Sequence, residues 1–329
     1  MNKDKKPIMK DANFLRLLAV FVVVFIVCSL LKGSKFLNMN NFMSMFKQFP
    51  EYGLLAIGIG MALLIGGIDL SAVYLANLSS IVAGLFVLKF MPAEGAGTGV
   101  VLFSFVIAVI VGAVGGALNG FLISGVGIPA MLATLGTQSL YWGLGVVLTG
   151  GSTLSGFPES LSNIINAKIG ILPITVLIFA AAALVFGLIV SRTKLGYEMR
   201  MYGTNNKATV YAGLNNLKIV VCTHIFGGIL AALCGLIMWG RYSSAKADNG
   251  STYTMQAILI AVMGGISPNG GKGNIQGIVL AVLIIQMVSS TMNMFTWIPS
   301  PCRQIVWGAL LILVMIMNYM IDERAKKAK

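Results

Sequence analysis

The sequence predicts an all-α protein, a bundle of about ten helices that cross a membrane. Of its 329 residues, 57% are hydrophobic and only 10% are charged, and the mean hydropathy is +0.89. Soluble domains carry about 25% charged residues, so this composition is typical of a chain that faces lipid. Residues 95–158 contain no Asp, Glu, Lys or Arg. Such a charge-free run suits a bilayer, where a central charge costs about 2.5–3.5 kcal/mol.

Apolar runs predict the individual spans, each of which needs about 20 mostly apolar residues. The ten runs are 14–31, 49–67, 71–90, 99–123, 129–149, 171–191, 217–239, 252–266, 273–293 and 303–321. The eighth run is short, and the alternative that it enters and leaves the membrane on one side stays open. We treat residues 1–329 as a single transmembrane domain.

The distribution of positive charge predicts the orientation. An even number of spans places the tails, 1–13 and 322–329, on the same side as the polar stretch 192–216. In this topology 15 of the 23 Lys and Arg residues lie on that side, which the positive-inside rule identifies as cytoplasmic. Membrane topology thus accounts for the formal net charge of +13, and we expect no nucleic-acid binding.

Three glycines in the fourth span predict a close helix contact. Gly112, Gly116 and Gly120 recur at four-residue spacing and share one helix face. Small residues in this pattern let another backbone approach closely. We expect packing within the chain, and a contact between subunits is the alternative.

A glycine-rich loop at 264–273 resembles a phosphate-binding loop at first sight. It has Ile266 where that motif needs Gly, and Gly273 where it needs Ser or Thr. We therefore expect a tight turn and no binding of ATP by this chain. The opening Gly-Gly-Ile of this loop also occurs at residues 66–68, which is either an internal repeat or a coincidence.

Few ionisable residues occur within the spans. Asp69 is either a functional carboxylate or the cap of the third span. His224, the single histidine, is either a proton relay or a neutral, hydrogen-bonded residue. Glu51 opens the second span, which predicts a place at the membrane interface. The sequence offers no set of catalytic or metal-binding residues, and we expect no cofactor.

The polar stretch 192–216 predicts a cytoplasmic loop with a short helix. That helix runs from Asn205 to Ala212 and ends at Gly213. A helix this short is not stable alone, so it must rest on the bundle or on a partner.

Five segments together resemble a known family. They are residues 66–71 (Gly-Gly-Ile-Asp-Leu-Ser), 117–120 (Ala-Leu-Asn-Gly), 128–137 (Ile-Pro-Ala-Met-Leu-Ala-Thr-Leu-Gly-Thr), 196–213 and 264–277. In this order between spans, they resemble the membrane permease of bacterial ATP-binding-cassette (ABC) importers for ribose, galactose, xylose and related compounds. The resemblance covers roughly residues 14–320. The chain departs from the family pattern at residues 72–74 and 206–209, which leaves the exact solute open.

The resemblance implies a non-catalytic subunit in the bacterial cytoplasmic membrane. Two permease chains, identical or similar, would form the path and alternate between outward and inward openings. Two separate ATP-binding subunits would supply the energy, and an extracytoplasmic solute-binding protein would deliver the solute. The residues implied in docking to the ATP-binding subunits are Tyr197, Asn205, Asn206, Ala212 and Gly213.

A sugar path needs hydrogen-bonding groups that still release the solute. The candidates for this path are Asp69, Asn77, Asn119, Thr134, Thr137 and Gln138. For each of them, helix packing or capping is the alternative role. Four alternative functions also stay open: import of a nucleoside, import of a sugar-derived signal, ion-coupled secondary transport, and a channel or assembly factor without substrate turnover.

Overall fold

The computed structural model describes residues 12–90, 97–297 and 302–327, and it confirms the all-α fold class. The helices are α1 (Ala12–Lys32), α2 (Met39–Leu64), α3 (Ala72–Lys89), α4 (Thr98–Ser124), α5 (Ala130–Thr149), α6 (Glu159–Ile165), α7 (Ile174–Arg192), α8 (Lys194–Thr204), α9 (Asn206–Tyr211), α10 (Asn216–Tyr242), α11 (Tyr253–Met263), α12 (Ile275–Asn293) and α13 (Cys302–Lys327). A small antiparallel hairpin pairs β1 (Lys168–Ile169) with β2 (Leu172–Pro173). The predicted cytoplasmic tails lie largely outside the described residues.

A helix occupies each of the ten predicted spans, although the helices differ in length and polarity. Among the described residues, seven helices are long and apolar enough to cross a membrane: α1, α3, α4, α5, α7, α10 and α12. Helix α2 is long but carries Lys47, Gln48 and Glu51 in its first half. The apolar parts of α11 and α13, Tyr253–Met263 and Gln304–Met317, are shorter.

The second helix begins ten residues before the predicted second span, which starts at residue 49. Helix α2 begins at Met39, capped by the Asn38 side chain, and continues through Pro50. Asparagines and a lysine interrupt the first turns, so the apolar pattern gives no sign of a helix there. Helix α6 and the hairpin were also not predicted, because residues 150–173 are too polar and too rich in Gly and Pro to show a helical period.

Helix α10 lies at the centre of the bundle and packs against α2, α3 and α4. A Cβ atom on Gly112 or Gly116 would overlap the carbonyl oxygen of Gly228 or His224, respectively, on α10. A Cβ on Gly120 would lie 2.5 Å from the Cα of Val221. The glycine face of α4 thus packs inside the chain, as the sequence predicted.

A non-helical segment, 243–252, connects α10 to α11 and is partly buried in the bundle. Ala245 and Ala247 are buried, and Ala245 forms an isolated bridge with Leu154. The Asn77 amide donates hydrogen bonds to the carbonyls of Ala247 and Asn249, at 3.0 and 2.8 Å. Within a membrane, non-helical backbone is tolerated only where protein or a water-filled cavity surrounds it. Asn77 supplies two of the hydrogen bonds that this segment needs.

Helix α11 is shorter than a full membrane span. Its 11 residues extend about 16 Å, roughly half of the bilayer core of about 30 Å. It starts at Tyr253, beside Glu51 and Arg241, and its following loop reaches Gly203 at the other end of the bundle. We call these two ends the Arg241 end and the Gly203 end.

Helices α2 and α11 end in the same conformation. Gly66 and Gly265 both adopt left-handed backbone angles, with φ of +79° and +91°. In each turn, the N–H of this glycine donates to the carbonyl three residues earlier in the chain. The next N–H donates to the carbonyl five residues before its own residue. This pattern is a common helix C-cap, but it uses the first glycine of residues 66–68 and the second glycine of residues 264–266, so the two Gly-Gly-Ile copies are not equivalent in position.

The contact between α4 and α10 predicts that the same substitution, Gly to Ala, changes stability differently at two positions. Gly116→Ala should destabilise the protein by about 1–3 kcal/mol, because the new methyl group overpacks against the His224 carbonyl. Gly187→Ala on α7 meets open space and should be neutral or stabilising by up to about 1 kcal/mol. Thermal unfolding of the purified proteins in detergent measures both, and equal melting temperatures would contradict the packing.

Candidate functional site

Four of the six predicted path residues form one polar cluster at the Gly203 end. Asp69 is buried, and its Oδ1 accepts hydrogen bonds from the backbone N–H and the hydroxyl of Ser71, at 2.9 and 2.7 Å. The bonded N–H belongs to the residue before α3, so Asp69 fixes the approach to that helix. Neither its capping role nor a functional role is thereby excluded.

Asn119 connects three helices in this cluster. Its amide nitrogen donates to the Ser71 hydroxyl at 2.7 Å, and its amide oxygen accepts from the Thr137 hydroxyl at 2.6 Å. Thr134, one turn before Thr137, donates to the Ile68 carbonyl at 2.9 Å. We call Asp69, Ser71, Asn119, Thr134 and Thr137 the Asp69 cluster. All five are buried, so their hydrogen bonds tie α3, α4 and α5 together.

The other two predicted path residues lie outside the Asp69 cluster. Asn77 holds the segment between α10 and α11. Gln138 is half-buried on α5 and makes no hydrogen bond within the described part of the chain. The structure therefore separates the six candidates into a connected group of four, a structural clamp and one unpartnered amide.

The polar stretch 192–216 contains two helices, although the sequence predicted one. The predicted short helix is present as α9, where the Asn205 side chain accepts from the N–H groups of Lys207 and Ala208, both at 3.0 Å. It ends at Ala212 and Gly213, and Gly213 has φ of +71°. The second helix, α8, was not predicted, although the Thr193 side chain caps its start.

Helix α9 exposes nearly all of its surface. The exposed fractions are 61% for Val210 and 92% for Tyr211, while Thr209 is buried. Tyr197 on α8 is 65% exposed, and Asn205, Asn206, Ala212 and Gly213 are also exposed. Apolar residues this exposed, away from the lipid-facing helices, favour a protein contact.

Helix α8 is fixed against the end of the bundle. A Cβ on Gly203 would overlap the Leu64 carbonyl and lie 2.5 Å from the Gly271 nitrogen. The Gly271 N–H itself donates to the Leu64 carbonyl at 2.8 Å, and Arg200 donates to the Asn274 side chain at 2.8 Å. Burial lowers the pKa of Arg200 from its usual value. The glycine loop 264–273 thus forms the predicted tight turn and holds α8.

The contacts of α8 lead to the Asp69 cluster within a few residues. Leu64 ends α2, and the chain then passes through Gly66, Gly67 and Ile68 to Asp69. A Cβ on Gly67 would lie 3.0 Å from that of Ala130 at the start of α5. A displacement of α8 would therefore press on the segment that carries Asp69.

A second polar cluster, at the Arg241 end, was not predicted. Glu51 is fully buried and forms an ion pair with Arg241. Tyr253 donates to the Glu51 carboxylate at 2.8 Å, and Tyr242 donates to it at 3.4 Å. Nearby, Tyr52 donates to Gln286. Two opposite charges 190 residues apart in sequence gave no local signal of their pairing.

A cavity of about 260 Å³ lies beside this ion pair. It is bounded by the ends of α10 and α12 and by the first turns of α11 and α13. Tyr52, Tyr253 and Trp307 supply aromatic walls, and Gln48 and Gln256 supply amides. The glutamines were the available sequence signal, because amides are uncommon within such apolar runs.

His224 is buried at the contact between α4 and α10. Its Nδ1 lies 3.0 Å from the Val220 carbonyl, as expected for a hydrogen-bonded ring, whereas Nε2 has no partner among the described residues. No ionisable side chain of the described residues bonds to it. The geometry offers no chain of groups for proton transfer.

Comparisons with known proteins agree with this architecture. The family described as Branched-chain amino acid transport system / permease component matches residues 41–315. The Autoinducer 2 import system permease protein LsrD of Photorhabdus temperata is 30% identical over 305 residues, which cover 91% of this chain and 89% of the relative. The D-allose transport system permease protein AlsC of Escherichia coli (strain K12) is 28% identical over 307 residues, covering 93% and 91%.

No solved structure matches the chain significantly. The family match spans most of the bundle, including the Asp69 cluster, α8, α9 and the glycine loop. The apolar helices of the chain and its similarity to permeases both indicate a multi-pass membrane protein. The chain therefore belongs to this family of permease components of transport systems.

Proposed function

We propose that this chain is the permease subunit of an ABC importer in the bacterial cytoplasmic membrane, and that it carries a monosaccharide or a sugar-derived signal. The observation that carries the proposal is the similarity to the D-allose and autoinducer 2 permeases, which extends over 93% and 91% of this chain. Similarity along a whole transport subunit favours a shared mode of transport, while the solute pocket can differ.

The proposed assembly contains two permease chains, two ATP-binding subunits and an extracytoplasmic solute-binding protein. We place both termini, α8 and α9 in the cytoplasm, because positive charge concentrates there. The exposed Val210 and Tyr211 on α9 are suited to insertion into a groove of an ATP-binding subunit. Residues 1–329 act as one transmembrane domain in this arrangement.

The mechanism is alternating access driven from α8 and α9. Closure of the ATP-binding subunits would push α9, and α8 would transmit the push through Gly203 to the end of α2 and the glycine loop. The segment 66–71 would then move with the Asp69 cluster and shift α4 and α5 relative to α3. Packed elements have discrete arrangements, so a small push can switch the bundle between two of them.

Uptake measurements test the function directly. Cells that express the complete transporter should take up at least one compound from a labelled panel of D-ribose, D-allose, D-galactose, D-xylose and autoinducer 2. Uptake should fail when ATP is depleted and persist when an ionophore collapses ion gradients at constant ATP. The reverse pattern would establish an ion-coupled carrier, and uptake of branched-chain amino acids alone would overturn the sugar assignment.

The coupling role of α9 predicts a strong effect of two exposed residues. The double variant Val210→Ala, Tyr211→Ala should weaken binding of the ATP-binding subunit about thirtyfold, because a buried aromatic anchor typically contributes about 2 kcal/mol. ATP-dependent uptake should fall accordingly, at an unchanged amount of permease in the membrane.

The matched control is Val23→Ala, Leu30→Ala on the exposed face of α1. It removes similar apolar surface from a lipid-facing helix and should retain normal uptake and normal co-purification of the ATP-binding subunit. If the α9 variant co-purifies that subunit as well as the control does, α9 is not the docking element.

The hydrogen bonds of the Asp69 cluster predict that a substitution there lowers the transport rate and does not only weaken packing. Asn119→Leu removes two hydrogen bonds between helices and should lower the maximal uptake rate about tenfold, equivalent to about 1.4 kcal/mol. Ser139→Ala on the exposed side of α5 is the control and should behave as wild type. A lower melting temperature with full uptake per folded molecule would instead assign Asn119 a structural role alone.

A further inference from the structure

Side-chain hydrogen bonds join α9 to Asn216, the first residue of α10. The Thr209 hydroxyl oxygen lies 2.8 Å from Asn216 Oδ1 and 2.7 Å from the Asn206 carbonyl oxygen. Asn216 Nδ2 also donates to the Asn206 carbonyl, at 3.0 Å. A hydroxyl has a single proton to donate. When Thr209 donates it to Asn216, both ends of the Asn216 amide are bonded to α9.

Thr209 is the buried member of this group. It is 1% exposed, although Val210 and Tyr211 beside it are largely exposed. A hydrogen bond that is shielded from water is stronger than one at an exposed surface, so the bond between Thr209 and Asn216 resists movement of α9 relative to α10. One side of α9 is thus fixed to the bundle, while the other side is exposed for contact with a partner.

The turn between the two helices does little to fix their relative orientation. It comprises residues 212–215, in which Gly213 is exposed and has φ of +71°, and glycine is the residue with the greatest backbone freedom. Leu214 N–H donates to the Thr209 carbonyl at 3.0 Å and closes the turn. The orientation of α9 against α10 therefore depends on the side-chain bonds of Asn216.

The first turns of α10 connect Asn216 to the Asp69 cluster. Val221 lies five residues after Asn216, which is about 7.5 Å along a helix. At Val221 the backbone of α10 lies against α4, because a Cβ on Gly120 would be 2.5 Å from the Val221 Cα. Gly120 directly follows Asn119, the member of the Asp69 cluster that bonds to α3 and α5. A displacement of Asn216 along α10 would therefore press on α4 next to Asn119.

We propose that Asn216 is a positioning residue that couples α9 to α10, so that a push on α9 reaches the Asp69 cluster from the α4 side as well as through α8. The inference rests on the proposed function, since it concerns how closure of the ATP-binding subunits moves the bundle. Val210 and Tyr211 would make the contact with the partner, and Asn216 would pass the movement on. The Asn206 side chain also bonds to Tyr202 of α8, so α9 is attached to both helices that it would move.

The ratio of solute taken up to ATP hydrolysed tests this role. The complete transporter is reconstituted in proteoliposomes, and the ratio is measured with the compound of the panel that wild type takes up. Asn216→Leu keeps the side-chain size and removes both hydrogen bonds. The ratio should fall about fivefold, within the range found for substitutions between coupled sites. The ATP-binding subunit should co-purify in normal amount, because Val210 and Tyr211 are unchanged.

Threonine substitutions test the same bond from the α9 side. Thr209→Val removes the hydroxyl at nearly constant volume and should lower the ratio, whereas Thr209→Ser keeps the hydroxyl and should restore it. Thr223→Val on α10 is the matched control, because Thr223 is also 1% exposed and its hydroxyl donates to the Ile219 carbonyl of its own helix at 2.7 Å. It should keep the wild-type ratio.

A double variant tests whether the two residues act as a pair. Residues that share one interaction have effects that do not add. The variant Thr209→Val, Asn216→Leu should therefore have the same ratio as Asn216→Leu alone. A further fall in the ratio, equal to the product of the two single effects, would show that the residues act independently and would overturn the inference.

The outcomes separate this inference from the proposed function. If Thr209→Val and Asn216→Leu both keep the ratio of Thr223→Val, only the role of Asn216 fails. It also fails if Asn216→Leu no longer co-purifies the ATP-binding subunit, because Asn216 would then only shape the docking surface. If Asn216→Leu does not insert in the membrane, Thr209→Val and Thr209→Ser decide.

The wild type decides the proposed function by itself. If it takes up branched-chain amino acids alone and needs ATP, the sugar assignment fails, and the role of Asn216 is judged from the ratio for those amino acids. If its uptake does not need ATP, the proposed ABC importer fails and the coupling role of Asn216 fails with it.

Discussion

The close packing of α10 against three other helices determines the arrangement of the bundle. Glycines on α10 meet α2 at Gly58, α4 at Gly112 and Gly116, and α3 at Ala76, all with backbone in contact with backbone. Contacts this close leave no room for a side chain at these glycine positions. The Asp69 cluster and the Glu51–Arg241 pair lie towards opposite ends of the bundle.

At two places where the backbone leaves the helical pattern, another group satisfies some of its hydrogen bonds. Asn77 bonds two carbonyls of the segment between α10 and α11, and the Gly271 N–H bonds the carbonyl that ends α2. A membrane supplies no water for these groups. The same residues that satisfy the backbone thus fix α11 and α8, which border the cavity and the docking element.

Apolar runs and end signals predicted the helices well, because a lipid-facing helix is defined by its own residues. Asn205 and Gly213 likewise predicted α9, since capping acts over three or four residues. The start of α2 and the whole of α8 escaped prediction, because packing stabilises them and local pattern does not. The pairing of Glu51 with Arg241 depends on contacts between distant helices, and one sequence does not encode it in any local pattern. The six path candidates are all polar residues, and only the fold separates the Asp69 cluster from Asn77 and Gln138.

The placement of charge supports the proposal that a partner supplies the energy for transport. The buried carboxylate of Glu51 is held by Arg241 and Tyr253, so a change in its protonation would break a buried ion pair, which is strongly unfavourable. Asp69 has no salt bridge among the described residues and is bonded to the hydroxyl and backbone of Ser71. Both carboxylates are therefore fixed by structural contacts. What the bundle does offer is a rigid contact from exposed α9 through Gly203 to the segment that carries Asp69. A bundle with neutral hydrogen-bonding groups at both ends and one mechanical contact on a single face is suited to be moved by another protein.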